Sequence, residues 1–568
     1  MKTRTLLLLF VLLNITSPLS AQNIGVNNPT PHASALWDMV STDKGILIPR
    51  LTSAQRVAIV APATGLLVYD ITGNKFMYFD GSVWQSIGNG VSGWSLNGNS
   101  GNGPANFIGT TDNQPIQFKI NNLKSGYIDN IDGPYTGRNL FLGFQSGFNN
   151  TASGFDNVYL GFKSGFSNLD GEFNTAVGSF TLQNSANSYS NTAIGSYAMQ
   201  NATGIVQSTA VGTGALTTAL SGNYNQVFGY HAMFSTAAAG TFNCAYGYES
   251  LLNNTANYNC GYGNWSLKLN TTGASNSSFG YSSLFNNNIG NFNSAFGESA
   301  LAGNTTGNYN CGLGYFSGYS NTIGSNNTGI GAYTLQNNTG NNNLALGYQA
   351  GMIRLTYSNC TFVGALAEAN LNNFSNSTAI GYNAVVTASN QVKIGNALVT
   401  AIGGAVNWSV ISDGRFKNDI KEDIPGLPFI LALRPVSYNL NVISYLNHIL
   451  PNGNVDSLIA ADHNFKVKTQ TRYTGFVAQE VEVAADKTGY DFSGVQKPSN
   501  EKDTYAVRYA EFVVPLVKAV QELASANELL VVTNKELEAR INTINIRMAE
   551  IEKRLDDSLK TDTSGFIK

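Results

Sequence analysis

The chain has 568 residues, of which 12% are charged, and a formal net charge of −3. Its length suggests several domains rather than one, and the small net charge removes the electrostatic case for binding nucleic acid or an anionic membrane. The charged share is about half that of an ordinary soluble protein, so Asn, Ser, Thr and Gly must keep the surface wetted.

The N-terminus has the pattern of a secretory signal peptide over residues 1–21. Lys2 and Arg4 give a positive start, Leu6 to Leu13 are apolar without a break, and small residues lead to a cleavage point after Ala21. Eight apolar residues are too few to cross a bilayer, and no later segment reaches the ~20 that a spanning helix needs. The mature protein is therefore expected to be exported, either extracellular or at the cell surface, with no transmembrane segment. Residues 22–95 hold the strand-like runs "LLVYD", "KFMYFD" and "VWQSI", separated by the turn signals "ITGN" and "GS". They predict a small antiparallel meander serving as a structural cap. Residues 96–138 are rich in Gly and Asn and read as a linker.

An internal repeat dominates the next 250 or so residues. "NTAVG" ends at Gly178, "NTAIG" at Gly195, "STAVG" at Gly212 and "NQVFG" at Gly229, and the same beat returns at Gly280, Gly297, Gly314 and Gly331. The spacing is 17 residues with occasional 16 or 18, and the array covers residues 139–397 in about fifteen turns. A period this short cannot hold two helices and suits one coil of a β-solenoid, with a short strand and Asn/Gly turns in each rung. Asn and Gly tolerate the left-handed backbone of tight turns. Each rung offers only a thin apolar strip, such as Ala176 with Val177 or Ala193 with Ile194, so three chains side by side would bury more than one. A homotrimer is the expected partner arrangement. The repeat resembles the β-roll heads of trimeric autotransporter adhesins, which also carry an N-[ST]-x-[IV]-G core in units that are usually shorter.

Cys244, Cys260 and Cys311 take the Ser/Thr position three residues before the rung glycine, and Cys360 lies one residue from it. Rungs stack ~4.7 Å apart, which leaves two readings open for Cys244 and Cys260: bonding distance on adjacent rungs, or free thiols standing in for Thr. The four histidines, His32, His231, His448 and His463, are scattered, and no Cys/His/Asp spacing fits a zinc site. No metal and no cofactor is expected.

Beyond Gly395 the repeat stops, and "SVISDGRFKNDI" opens a charged, globular segment over residues 411–525. A coiled coil is predicted over residues 509–560. Leu516, Leu523, Leu530, Leu537, Ile544 and Ile551 recur every seven residues, with Val520, Asn527, Asn534, Ile541, Met548 and Leu555 in the alternate seam. The polar Asn527 and Asn534 cost stability but fix register and strand number.

Ser412 and Lys417 stand five residues apart in this segment. A lysine can activate a serine hydroxyl if burial makes its amine neutral, and Ser–Lys dyads are a known variant of triad catalysis. Spacing alone is weak support. The pattern S-D-x-R-x-K-x-x-I is met by Ser412, Asp413, Arg415, Lys417 and Ile420. A second block, G-[FIL]-x-A-Q-E, is met by Gly475, Phe476, Ala478, Gln479 and Glu480. A third is met by Tyr509, Phe512, Val514, Pro515 and Leu516, then Ala519, Gln521, Glu522 and Leu523. Together they resemble the C-terminal intramolecular chaperone auto-processing domain of phage tail spikes and endosialidases, over about a fifth of the chain. The resemblance implies a domain that trimerises, aids winding of the preceding β-structure and then cuts its own chain between Ile411 and Ser412. It implies Ser412 as nucleophile and Lys417 as general base, with Asp413 and Arg415 holding the turn and Gly475, Gln479 and Glu480 in support. Many members carry a histidine two residues before the second-block glycine, where this chain has Tyr473.

The expected fold is thus mainly β: an N-terminal meander, a trimeric β-solenoid stalk of about 17-residue repeats, and a C-terminal α+β chaperone domain ending in a trimeric coiled coil. The expected function is a secreted or cell-surface trimeric fibre or adhesin-like protein with a single-turnover, self-cleaving serine peptidase domain. The alternative is a trimer that never cuts and keeps the domain attached. A polysaccharide-degrading spike is disfavoured because no carboxylate pair stands out as an acid/nucleophile set, although exposed Tyr and Asn on the stalk could bind a surface glycan or host ligand. A phage tail protein assembled in the cytosol needs no export signal, so a bacterial envelope or secreted protein fits better.

Overall fold

The computed structural model describes residues 23–87, 103, 107–129, 137–218, 221–234, 240–450, 455–461 and 465–563. The expected signal peptide, residues 1–21, lies outside them. The chain divides into two compact units that meet in sequence between Gly109 and Thr110.

In the first unit, strands Leu67–Asp70, Lys75–Phe79 and Trp84–Ile87 pair antiparallel in sequence order, and Arg50–Leu51 joins the edge in parallel. A second, parallel pair is formed by Ile24–Val26 and Trp37–Met39. Asp70 is the polar hub. Its buried carboxylate accepts from the Gly73 and Thr72 amides, from Ser53 Oγ and from Arg56 Nε. Those bonds, the Gly73 amide foremost, hold its carboxyl far below the usual carboxylate range.

The second unit begins inside the stretch read as a linker. A hairpin of Ile116–Ile120 and Leu123–Ile128 pairs antiparallel with the strand Leu140–Leu142, which is the first of sixteen three-residue strands ending at Val392–Ile394. From there on every pairing is parallel and in register, as in Thr175↔Thr192↔Thr209. This is a β-solenoid of about 17-residue repeats. In most rungs the middle strand residue points inward and its two neighbours outward.

Two backbone requirements explain the repeat. The glycine after each strand, from Gly143 to Gly381, has φ between +114° and +145°, which L side chains rarely adopt. It also packs against its counterpart above: a Cβ on Gly280 would lie 2.4 Å from the carbonyl oxygen of Gly297. The turns that follow are not left to Asn and Gly alone. Phe180, Leu182, Tyr197, Met199, Trp265 and Leu267 all hold φ of 49–61°. That conformation costs a non-glycine residue roughly 1–2 kcal/mol, and packing must offset it here because these leucines and Met199 fill the core.

That core is built by size matching. Where the inward strand residue is small, as in Ala176, Ala193, Ala210 and Ala245, the fourth residue after the rung glycine is commonly large, here Leu182, Met199, Leu216 or Leu251; the rungs of Gly312 and Ala345 are exceptions, with Gly318 and Gly351 there. Where the strand residue is an aromatic at the N-terminal end, Phe141 or Tyr159, the opposing position is Gly147 or Gly165. A Cβ there would come within 2.5 Å of the ring.

A column of buried asparagines runs beside the strands. Each side-chain oxygen accepts the amide of the next member, as in Asn174 N to Asn157 Oδ1 at 3.0 Å and Asn191 N to Asn174 Oδ1 at 3.1 Å. Nearly every side-chain nitrogen reaches a turn carbonyl, as in Asn174 Nδ2 to Ser188 O at 2.7 Å. Ser208 substitutes without breaking the chain of bonds, and Ser377 takes the same position near the C-terminal end. Cys360 takes the same position, its amide donating to Asn343 Oδ1. The column, not the strand, is thus the reason Cys360 sits one residue away from the place held by the other cysteines. All four thiols are free. Cys244 and Cys260 face one another directly on adjacent rungs, and burial, with Cys244 beside it, pushes the Cys260 thiol up to about 11.

After the last rung the chain forms an α+β domain. Strands Val436–Asn439 and Arg472–Gly475 pair antiparallel, as do Val495–Gln496 and Ala506–Val507. Phe429, Val481, Ala484, Ala485, Phe492 and Phe512 make its core. The helix Val513–Thr563 begins on this core and continues for 51 residues. Gly426 lets the short helix Leu427–Ala432 lie against it, since a Cβ there would come 2.6 Å from the Ala519 amide, and Glu522 accepts the Leu427 amide at 2.6 Å. Among the described residues no helix is long and apolar enough to cross a membrane.

One rung breaks the size rule with a charge. Glu368 occupies the leucine position after Gly364 and is buried, accepting the amides of Ile353 and Ala369. Burial outweighs those bonds and pushes its carboxyl up to about 7 from 4.5. Between those two values the unfolded chain gains by ionising while the folded chain does not, so stability falls as pH rises from about 4.5 to about 7. Glu368→Gln removes the titration. The melting-temperature difference between variant and wild type should therefore move in favour of the variant across that interval and be flat below it, as read by scanning calorimetry.

Candidate functional site

The segment opening with Ser412 is a tight, solvent-facing turn. Gly414–Phe416 form one turn of 3₁₀ helix, and Asp413 caps it by accepting the Arg415 amide at 2.9 Å. The Arg415 guanidinium then folds back onto the same carboxylate, with Nη2 to Oδ2 at 2.6 Å, and this pairing lowers the Asp413 carboxyl. The turn reverses the chain so that Lys417 Nζ donates to Ser412 Oγ at 2.9 Å. Ser412 and Lys417 are both exposed, and Ile411 is 86% exposed, so the Ile411–Ser412 bond is open to water.

Gly475, Gln479 and Glu480 lie elsewhere, with no hydrogen bond or ion pair to Ser412 or Lys417 among the described residues. Gly475 ends its strand under Tyr509: a Cβ would sit 2.1 Å from the Tyr509 hydroxyl, and that hydroxyl accepts the Phe476 amide at 3.2 Å. Gln479 is exposed and lines an open groove of about 550 Å³ with Tyr438, His448, Phe476, Tyr505 and Tyr509. Glu480 forms a bidentate ion pair with Arg434, one arm of which is Arg434 Nε to Oε2 at 2.9 Å. Tyr473 pairs with Tyr438 across the strands and lies under Lys468 Nζ. The second block therefore braces the domain. Among the described residues no group of His, Cys, Asp and Glu could hold a metal ion.

A different contact ties the domain to the solenoid. Residues 499–504 lie against the last rungs, and the nearly buried Asp503 is their centre. Its carboxylate accepts from Thr387 Oγ1 at 2.6 Å and from Gln391 Nε2 at 3.2 Å on the solenoid, and from Ser499 N at 3.0 Å and Thr504 N at 2.9 Å in its own loop. Asn500 Nδ2 donates to Thr387 O at 2.7 Å. Gln391 is the terminal member of the column that begins with Asn139, so Asp503 closes the polar column from outside. Leu398 extends the join by packing with Val442, Leu446 and Val455.

Comparison with known families places this domain. Residues 412–490 match the family model described as "Chaperone of endosialidase". The match begins at Ser412 itself. Residues 25–102 match a second model, "Phage tail like trimerisation region", over most of the unit expected to be a structural cap. No curated protein matches the chain.

Sequence reasoning missed Asp503 because nothing local marks it: "NEKDTY" reads as an ordinary polar loop, and its partners Thr387 and Gln391 are more than 110 residues away in sequence. The only signal lay in Gln391, where the column ends in a longer side chain than Asn.

Burial alone would raise the Asp503 carboxyl, but the bonds from Thr387, Ser499, Thr504 and Gln391 together bring it down to about 2 from 3.8. A carboxyl lowered on folding stabilises above its unfolded value and loses that contribution as pH falls through the folded one. Asp503→Ala should speed hydrogen exchange at residues 387–391 and 499–504 while leaving the rungs around Asn276–Asn310 unchanged. In the wild type the same join should open to pepsin only as pH drops from about 3.8 towards about 2.

Proposed function

We propose that this chain is a secreted or cell-surface homotrimeric fibre whose C-terminal domain chaperones its assembly and then cuts itself away between Ile411 and Ser412. The observation that carries the reading is the 2.9 Å hydrogen bond from Lys417 Nζ to Ser412 Oγ, at the first residue of the chaperone match. Three copies are supported by the trimerisation match and by the long helix. Its heptad residues Leu523, Leu530, Leu537 and Ile544 are 47–58% exposed in a single chain, and a three-stranded coiled coil would bury them. A chaperone is needed because the rungs resemble one another. A slip by one rung is nearly isoenergetic, and in-register pairing of distant segments is slow and exposed to aggregation. Clamping three C-termini together lowers the entropic cost of bringing the chains together, and the Asp503 contact offers the last rung a template from which winding can start.

The cut follows from the turn. Neutral Lys417 takes the Ser412 Oγ proton as Oγ bonds to the Ile411 carbonyl carbon. The bond from that carbon to the Ser412 nitrogen breaks, and Lys417 returns the proton to the departing amine. Water then hydrolyses the Ile411–Oγ ester, leaving an Ile411 carboxylate and a fragment of residues 412–568. Burial favours the neutral amine. Both side chains are exposed in one chain, so the packing of three copies around the turn supplies the desolvation, and cutting follows assembly.

Mass measurement and N-terminal sequencing of purified protein test this. The wild type should give a fragment beginning at Ser412, whereas Ser412→Ala and Lys417→Ala should each give uncut trimers. Intact wild-type chains throughout would leave the alternative, a trimer with a permanently attached domain. Export predicts a mature N-terminus at Gln22.

A further inference from the structure

The solenoid presents one sheet face to solvent, and that face has an unusual composition. Each strand sends two side chains outward, at its first and third positions. The first positions are small and uncharged for much of the array, as in Thr192, Thr209, Cys244, Cys260 and Cys311. The third positions are aliphatic or aromatic in every rung. None of the sixteen strands carries a charge at either position. Lys163, Glu249, Lys268 and Glu298 fall in the turns instead, Glu368 is buried, and Lys393 holds the middle position of the last strand rather than an outward one.

The third-position column is a continuous apolar ribbon. Ile194, Phe296, Leu313, Leu346, Ile380 and Ile394 are each 38–45% exposed. Midway along, Phe228, Tyr246, Tyr262, Phe279 and Phe296 stack ring on ring at 4.5–4.9 Å, nearly parallel. At ~4.8 Å per rung the ribbon is about 70 Å long. Monomeric soluble proteins rarely leave so long an apolar strip uncovered.

We propose that this face is where the three copies of the stalk meet, strand face to strand face around the trimer axis. The inference rests on the trimeric reading above and adds which surface is buried. Three observations select a copy of this chain as the occupant. Both ends carry trimerising features, the matched region at 25–102 and the helix with its open heptads, so the segment between them runs alongside its copies. A partner must match a straight ladder of constant pitch over sixteen rungs, and another copy has that pitch. A face without charge offers nothing to a charged partner but packs against itself without burying an unpaired ion. Sheets stacked face to face at ~10 Å interdigitate side chains of this size.

The test places single cysteines on a background in which Cys244, Cys260, Cys311 and Cys360 are replaced by Ser. Ile194→Cys puts a thiol on the ribbon, and Thr203→Cys puts one on an exposed turn. Light scattering gives the oligomeric state of each, and a short bis-maleimide reports proximity between chains. The proposal expects trimers for both, with Ile194→Cys shifting to two-chain bands on a denaturing gel and Thr203→Cys staying as one. Adding Val177→Asp and Val211→Asp on the flanking rungs should reduce the Ile194→Cys product while circular dichroism still reports the β-structure. Trimers in which Thr203→Cys cross-links instead, or in which neither does, overturn the face and leave the trimer standing. Monomers overturn both.

Discussion

The column of buried asparagines governs this molecule. Each asparagine oxygen accepts the amide of the next, and nearly every side-chain nitrogen binds a turn carbonyl, so every rung has its height and rotation set by the one before. The glycine stack enforces the same pitch by contact. Such a scaffold directs most of its polar bonding along its axis. In many rungs the interior is one small strand residue facing one Leu or Met, which leaves little apolar surface buried per chain. The proposed packing of three copies would add the lateral burial, and the column needs something to end it.

The closure lies outside the repeat. At the C-terminal end Asp503 binds Gln391 and Thr387, completing the hydrogen bonding that a further rung would have supplied. The C-terminal domain therefore touches the solenoid at an end where its regular bonding runs out. The Ser412 turn, by contrast, stands clear of both bodies and is held by its own Asp413–Arg415 pair. A self-contained turn of this kind can present the same geometry whatever the state of the stalk.

The solenoid was legible because its demands are local and repeated: a φ that only glycine reaches comfortably, an asparagine at a fixed offset, a small residue between. The Ser412–Lys417 pair was legible through its resemblance to a family motif rather than through its spacing, and the local turn brings the two side chains together. What could not be read were relations between distant residues. Glu522 capping the helix at Leu427, Arg434 pairing with Glu480 and Asp503 reaching Gln391 each join separate segments whose sequences carry no mark of the partner. The positive φ of Phe180, Leu182 and Trp265 was equally invisible, because packing rather than intrinsic preference holds it.

The size matching inside the rungs bears on how such a fibre can change length over generations. From Leu251 to Leu301 neighbouring rungs present one another with interchangeable surfaces, a small strand residue and a leucine each time. Duplicating or losing one rung there returns every survivor to an equivalent neighbour, and the reach of the stalk changes in steps of one rung. Near the N-terminal end Phe141 and Tyr159 depend on Gly147 and Gly165 in their own rungs and stack on each other. That pair can be inherited or discarded only together. The middle of the stalk is thus free to drift in length, while its ends, where the hairpin and Asp503 grip it, are held constant.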